Sequence, residues 1–324
     1  MTEKPGGSEK RRENTMALMR AMSSGVAGLK AHQTALDVIG NNIANVNTYG
    51  FKASRTLFSD VLYQTLTSAT APGLTKDGQG NVTDNGTGGI NPSQVGYGST
   101  ASSVTVDTGR AGMATTGFGG DCYINGEGYF IIGDGKPTGL VPPSHQYTRV
   151  GALSFDSEGY LVDGHGNRVC GAGNSVVQSA EAALSGDTLD DISTSGPEYI
   201  HYCPSKDTLS AVAIAADGTI TATNGDGKVV TVGQISLAHF SNPGGLEQEG
   251  GNYYKDTSNS GDATYATPGS GATGKLVTGA LESSNVDLAN EFSNMISTQR
   301  GYQANSKIIT VSDTMLETLV NMVR

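Results

Sequence analysis

The sequence predicts an α+β protein: a discontinuous α-helical coiled-coil domain built from both termini, plus an all-β middle domain. Two observations carry this prediction. Apolar and small residues recur with heptad spacing near both ends of the chain, as in helices that pack along a seam. Between the ends lie short alternating segments separated by glycine turns, and the 324 residues include 46 glycines.

The first predicted helix is a coiled-coil helix over residues 16–50. Its seam follows steps of four and three, with His32 as a polar interruption, at Leu18, Met22, Gly25, Leu29, Leu36, Ile39, Ile43 and Val46. Asparagines followed by Gly50 indicate the helix end and supply a possible C-cap glycine. Residues 1–15 are polar and charged, so we expect a disordered or non-native extension that lacks the apolar segment of a signal peptide.

The second predicted coiled-coil helix lies in residues 284–324, with Asp287 as its N-cap, and should pair with residues 16–50. We expect its seam at Leu288, Phe292, Met295, Gln299, Tyr302, Ser306, Ile309, Asp313, Leu316, Val320 and Val323. Three polar residues in this seam make the zipper weak, which suits a helix whose remaining apolar edge meets other subunits. An ordinary helical hairpin that closes one globular domain is the alternative.

The middle of the chain divides into two predicted parts. Residues 51–94 are expected to form an extended linker, because Thr67–Tyr97 is rich in Gly, Thr, Asn and Ser. Residues 95–283 are expected to form a β-rich outer domain, an antiparallel sandwich or open barrel. Predicted strands include 103–106, 122–124, 129–132, 160–162, 211–214, 219–223, 229–232 and 234–240. Hairpin turns are predicted at Asn125-Gly126, Asp217-Gly218 and Asp226-Gly227.

Composition argues against several classes of partner. The formal net charge is −11 and no basic cluster occurs in the body of the chain, so nucleic acid is not an expected partner. No apolar run approaches the ~18–20 residues that a membrane-spanning helix needs, so we expect no membrane insertion. Cys122, Cys170 and Cys203 are too few for a disulfide framework and are not spaced as zinc ligands.

No sequence motif supports catalysis. Gly269–Lys275 has the spacing of a phosphate-binding loop, but Leu276 stands where a magnesium-binding hydroxyl is required. Asp256–Gly261 begins like a calcium loop, yet serines replace the inner carboxylates. We therefore predict no catalytic, cofactor-binding or metal-binding residues and a protein that is not an enzyme. A β-domain enzyme or carbohydrate-binding module is the remote alternative.

Two terminal stretches resemble the signatures of bacterial flagellar rod and hook axial proteins. The first comprises Met19–Lys30 and Ala35–Lys52, and the second comprises Gly279–Leu288 and Gln299–Asn305. Fragments Tyr123–Phe130, Tyr147–Arg149 and Phe240–Leu246 are similar to the β domain of that family. The family-motif residues are Asn41, Asn42, Asn45, Gly50, Phe51, Asn285 and Asp287.

Within the family, the Met-Arg-Ala-Met-Ser-Ser-Gly-Val opening and the Asn-Val-Asp-Leu stretch are more similar to hook proteins. We therefore interpret the chain as a compact hook subunit, part of a tubular universal joint that transmits torque from motor to filament. Many hook proteins carry a second outer β domain for which residues 123–246 leave no obvious room. A distal rod protein is therefore the alternative.

The resemblance also implies partners and a location. It implies a helical homo-oligomeric tube that contacts the rod, hook-cap and hook–filament junction proteins. It implies export by the flagellar type III apparatus, without a cleavable signal peptide, to an extracellular place in the flagellum (hook or basal body). Some hook relatives are crosslinked through Cys and Lys, and Cys122 is the candidate here.

A filament requires two different surfaces on each subunit, joined head to tail. We expect the self-assembly residues to be the apolar seam positions Leu18, Met22, Leu29, Leu36, Ile39, Ile43, Leu288, Phe292, Met295, Ile309, Leu316, Val320 and Val323. Val26, Val38, Ile296 and Met315 are expected to meet neighbouring subunits. Asn41, Asn42, Asn45 and Asn47 should fix the turn after the helix through side-chain hydrogen bonds, with subunit contacts as the alternative.

Overall fold

The computed structural model of the chain describes residues 6–71, 74–76, 82–84, 88–134, 144–173, 197–201, 210–223 and 229–322. These residues form two compact units. The helical unit contains the chain up to Ile43 together with Ser54–Thr105 and the segment from Leu288 onward. The β unit contains Ala44–Ala53 and Val106–Asp287.

Two long helices are present, α1 over Gly6–Ala44 and α2 over Leu288–Met322. Helix α1 begins ten residues earlier than the predicted start at residue 16, because Glu9–Glu13 consists of good helix formers that continue the helix without an apolar face. The expected disordered stretch is therefore helical from Gly6. Helix α1 ends at Ala44, just before the expected boundary, and α2 begins directly after Asp287 as predicted.

Neither helix, within the residues that the structure describes, is long and apolar enough to span a membrane.

The predicted linker is instead a long antiparallel ribbon in the helical unit. Its strands are β1 Ser54–Asp60, β2 Tyr63–Thr67, β3 Leu74–Lys76, β4 Val82–Asp84, β5 Ser93–Gly96 and β6 Ser99–Val106. The outer pair is β1–β6, the middle pair β2–β5 and the inner pair β3–β4. The polar, glycine-rich composition suggested a loop because both faces of β2 are exposed and the alternation of a half-buried strand is absent there.

The β unit is antiparallel, as the sequence predicted. Its strands are β7 Met113–Thr115, β8 Cys122–Asn125, β9 Tyr129–Asp134, β10 Ser144–Thr148, β11 Leu153–Phe155, β12 Leu161–Asp163, β13 Val169–Gly173, β14 Glu198–Tyr199, β15 Ser210–Ile214, β16 Thr219–Thr223, β17 Val229–Ile235, β18 Leu237–His239, β19 Glu247–Gly250, β20 Tyr253–Lys255, β21 Thr264–Ala266, β22 Lys275–Thr278 and β23 Ala280–Glu282.

One large sheet organises this unit. Its order in the described part of the chain is β15-β16-β17-β13-β9-β10-β20-β19, with β14 on β13, β18 on β9 and β21 on β18. Strand β9 lies at the centre and contributes to both apolar cores, because Phe130 and Ile132 point to one core and Tyr129 and Ile131 to the other. Among the described residues, the order does not return from β19 to β15.

Two of the three cysteines belong to these cores. Cys122 and Cys170 are each fully shielded from solvent, and burial raises the pKa of the Cys122 thiol to about 12 and also raises that of Cys170. A buried, protonated thiol is a poor nucleophile. Cys122 is therefore poorly placed for a crosslink in the folded subunit. Cys203 lies outside the described residues.

The predicted turns have different outcomes. Asp217-Gly218 joins the paired strands β15 and β16, so that hairpin is confirmed. Asn125-Gly126 does not join partners, since β8 pairs with β22. A β-carbon at Gly126 would lie 2.5 Å from the Cα atom of Gly274, so glycine here permits a close backbone approach. Asp226-Gly227 lies outside the described residues, although the flanking β16 and β17 are paired.

Candidate assembly interface

Helices α1 and α2 pack antiparallel through small residues. A β-carbon at Gly25 would lie 3.4 Å from Ile309 Cγ1, and one at Gly28 would lie 2.5 Å from Asn305 Nδ2. Further along, a β-carbon at Gly301 would lie 2.7 Å from the ring of His32. The absent side chains allow a close approach that larger residues would prevent. We call this contact the glycine seam; on α1 its buried positions are Gly25, Gly28, Ala31, Ala35, Ile39 and Asn42.

The glycine seam is rotated relative to the predicted seam, and several expected positions lie elsewhere. Ile39 is buried, while the side chains of Met22, Leu29, Leu36, Ile43, Met295, Ile309 and Leu316 are half-buried. Those of Leu288, Phe292 and Val320 are exposed, which contradicts their assignment to the intrachain contact. The side chains of Leu18 and Val323 lie outside the described residues. Gln299 and Asp313 do not interrupt the contact, because both are exposed.

The rotation leaves many large apolar side chains on the surface of α2. They are Phe292, Ile296, Ile308, Val311, Met315, Leu319, Val320 and Met322. On α1, Met19 and Val26 are likewise exposed. The expectation that Val26, Ile296 and Met315 remain outside the intrachain contact agrees with this exposure, whereas Val38 is half-buried in a cavity of about 250 Å³ beside Phe58.

The ribbon adds a second exposed apolar surface to the helical unit. Its large exposed residues are Leu57, Phe58, Leu62, Tyr63, Leu66, Ile90, Val95 and Val104. Leu62 lies between β1 and β2, and its side chain is 81% exposed. Exposed apolar residues at this density mark contact surfaces more often than solvated ones.

Asn42 ties the end of α1 to the start of the ribbon. It is buried, and its Nδ2 atom donates to Ser54 O at 2.7 Å and to Glu291 Oε1 at 3.2 Å. Ser54 N donates to Asn42 Oδ1 at 3.0 Å. This paired contact supports the hydrogen-bonding role expected for the asparagines.

Asn45 stabilises the turn that follows α1, since Thr48 Oγ1 donates to Asn45 Oδ1 at 3.1 Å. Asn41 and Asn47 are exposed.

The remaining family-motif residues lie in the β unit. Gly50 has a φ of +71°, and its N–H donates to Glu282 O at 2.8 Å. Gly50 lies beyond the helix end, so it shapes the turn and is not the helix C-cap. Phe51 is buried. Asn285 accepts from Ala53 N at 2.7 Å, while Asp287 is exposed immediately before α2.

A buried charge cluster was not anticipated as a structural element. Lys52 Nζ donates to Glu282 Oε1 at 2.6 Å and to Gly109 O at 2.8 Å. Arg149 Nη1 donates to Glu282 Oε2 at 3.4 Å. All three charged side chains are at least 95% buried, with relative exposures of 1%, 1% and 4% for Lys52, Glu282 and Arg149. Burial lowers the pKa of Lys52, and the Glu282 carboxylate acts in the opposite direction.

The cluster joins parts of the β unit that are distant in sequence. Ala111 N also donates to Glu282 Oε1, at 3.0 Å, so one carboxylate holds three segments. The sequence offered a signal for this cluster, because Lys52, Arg149 and Glu282 all lie within the stretches that resemble the flagellar family.

Among the described residues, no three metal-binding side chains come together. Lys275 in the phosphate-loop-like segment begins a strand and no helix follows it, so the geometry of a phosphate site is absent.

The glycine seam predicts opposite effects for two glycines of α1. Gly28→Leu should force the helices apart and lower the stability of the helical pair by about 1–3 kcal/mol. Gly40→Leu is the matched control: nothing lies within 4 Å of its β-carbon position, so it should raise stability by about 0.5–1 kcal/mol. Thermal unfolding followed by ellipticity at 222 nm compares them. Equal melting of the two variants would contradict the seam.

The charge cluster predicts a large loss of stability on removing its anion. Glu282→Ala leaves two buried cations without a counter-ion and should lower the free energy of unfolding of the β unit by about 3–5 kcal/mol. Glu158→Ala removes the exposed partner of Arg168 and should cost less than about 1 kcal/mol. Urea unfolding followed by tyrosine fluorescence gives both values. Similar losses in the two variants would show that the cluster has no special role.

Three family models match the chain. They are described as "Flagella basal body rod protein" over residues 22–52, "Flagellar hook protein FlgE/F/G D1 domain" over residues 123–222 and "Flagellar basal body rod FlgEFG protein C-terminal" over residues 277–322. The matches cover α1 from residue 22 onward, all of α2 and much of the β unit.

Similar proteins include both rod and hook subunits. The flagellar basal-body rod protein FlgG of Bacillus subtilis is 41% identical over 310 residues, which cover 95% of this chain and 100% of the relative. The rod protein FlgG of Caulobacter vibrioides is 36% identical, covering 92% and 97%. The flagellar hook protein FlgE of Treponema pallidum is 26% identical over 481 residues, covering 95% and 100%. The chain belongs to the flagellar rod and hook protein family, whose members are structural proteins of the flagellar axis.

Proposed function

We propose that this chain is a self-assembling subunit of the distal flagellar rod. Its alignment with the Bacillus rod protein has nearly the length of the chain itself, whereas the alignment with the Treponema hook protein extends well beyond 324 residues. The hook relative therefore contains a large additional segment. Length and higher identity together favour the rod over the hook that the terminal motifs suggested.

The observation that supports self-assembly is the exposed apolar surface of α1 and α2. Within a subunit the buried seam positions of α1 are mostly glycine and alanine, and Gly25 and Gly28 face Ile309 and Asn305 of α2. The larger side chains are left in solvent, where each forgoes the ~1.5–3 kcal/mol that burial would contribute. Contact with neighbouring copies recovers this free energy. The ribbon residues Leu62, Leu66 and Ile90 offer a further surface for such contacts.

The hook remains the second candidate function, because hook proteins also match over most of the chain. In either role the subunit would join other axial proteins and leave the cell through the flagellar export apparatus, without a cleaved signal peptide. Complementation separates the two. The gene should restore motility to cells that lack their distal rod protein and not to cells that lack their hook protein, and the reverse result would favour the hook.

Truncation of α2 tests the assembly role directly. Removing residues 312–324 deletes Met315, Leu316, Leu319 and Val320 from the contact surface. Each tenfold change in critical concentration corresponds to ~1.4 kcal/mol, so the loss of several buried side chains should raise that concentration at least about a hundredfold. Sedimentation of polymer as a function of protein concentration measures it.

Two controls accompany the truncation. Melting of the β unit should change little, because the apolar cores formed by its described residues contain no residue from α2. The double variant Thr314→Ser/Thr318→Ser changes exposed polar residues of the same segment and should polymerise nearly normally. Unchanged polymerisation of the truncated chain would refute the assembly role. Early melting of the β unit would favour a single globular core closed by a helical hairpin.

A further inference from the structure

We propose that the C-terminal half of α2 from one subunit packs into an open groove on α1 of a second copy. This inference rests on the self-assembly proposed above and specifies the two surfaces that meet.

The groove has a volume of about 710 Å³ and lies along one face of α1. Met19, Met22, Val26 and Lys30 follow one another at steps of three, four and four, so they share that face. Val61, Ser99 and Thr100 of the ribbon complete the wall. Methionine side chains are flexible and adapt to irregular partners, which suits a docking surface.

The subunit's own α2 does not fill this groove. The glycine seam uses Gly25 and Gly28, and Val26 points about 100° away from Gly25 around the helix axis. Met19 and Val26 are accordingly 60% and 42% exposed even with α2 in place. A different helix is therefore required to cover them.

The surface that fits is a stripe on α2. Ile308, Val311, Met315, Leu319 and Met322 follow steps of three, four, four and three, and each is exposed. Ile308 also borders the seam, since a β-carbon at Gly25 would lie 3.7 Å from its Cγ2 atom. Val311, Met315, Leu319 and Met322 are distinct from the seam positions Asn305, Ile309 and Ser312 of the same helix. An amphipathic helix that lies in a groove presents its anchors at this spacing.

Charge favours this occupant. The α1 segment Met19–Lys30 contains two basic residues and no acidic residue, whereas the α2 segment Ile308–Met322 contains Asp313 and Glu317 and no basic residue. Opposite charges favour the encounter of the two surfaces. Because groove and stripe are different surfaces of one subunit, their contact is head-to-tail and continues from copy to copy.

Disulfide trapping between two chains that each carry one introduced cysteine tests the contact. Both carry Cys203→Ser, and the buried Cys122 and Cys170 stay in place. One chain has Val26→Cys and the other Met315→Cys, so a bond between the introduced thiols joins different subunits. The control replaces Met315→Cys by Glu317→Cys, which is exposed and lies about 200° around the helix from Met315. Equal mixtures are polymerised, oxidised, blocked with N-ethylmaleimide and resolved under non-reducing denaturation.

The Val26→Cys with Met315→Cys mixture should give at least about five times more crosslinked dimer than the control, and only when polymer is present. Polymer without this preference overturns the inference and leaves the proposed function intact. Failure of the unmodified chain to polymerise overturns both. Should Val26→Cys prevent polymerisation, Met19→Cys presents a thiol from the same face, and absence of preferential crosslinking there is equally decisive against the contact.

Discussion

The close approach of α1 and α2 at Gly25, Gly28 and Gly301 determines what the rest of the helical unit can do. Glycine at these points makes room for the side chains of Ile309, Asn305 and His32 on the opposite helix and itself buries little apolar area. A leucine seam would have buried the large side chains inside the subunit and left a polar exterior. The glycine seam does the reverse, and it leaves α2 with apolar residues on the outside. In the proposed assembly, a subunit built in this way gains free energy when neighbours cover these residues.

In the β unit, a buried ion pair holds together the segments where the chain enters and leaves. Lys52 and Glu282 belong to the segments where the chain enters and leaves this unit, and their buried ion pair connects them. Buried ion pairs contribute less net stability than their short distances suggest, because desolvation offsets the attraction. This ion pair favours one arrangement of the chain over others, since any arrangement that separates Lys52 from Glu282 leaves a charge buried without a partner. Asn285 supports the same region through its contact with Ala53.

Much of the architecture was predictable because local patterns determine it. Heptad spacing located both helices, and alternation located several strands of the β unit, including β16 at its observed bounds. The seam was misplaced because apolar periodicity cannot distinguish a face that meets its own chain from one that meets another. The ribbon was missed because a strand exposed on both faces, such as β2, lacks alternation. The hydrogen-bonding role of Asn42 was predicted, but its partners Ser54 and Glu291 were not, because Glu291 lies 249 positions away in sequence. The cluster at Lys52 depends on contacts across 230 positions, which no local pattern reveals.

Methionine oxidation tests most directly the claim that large apolar side chains face outward in the subunit and are covered in the assembly. Met19, Met315 and Met322 are at least half exposed in the isolated chain and should be oxidised readily by dilute hydrogen peroxide. In polymer from the same preparation, mass spectrometry of peptides should show oxidation of all three slowed several-fold relative to the unpolymerised fraction. Equal oxidation rates in subunit and polymer would contradict the account.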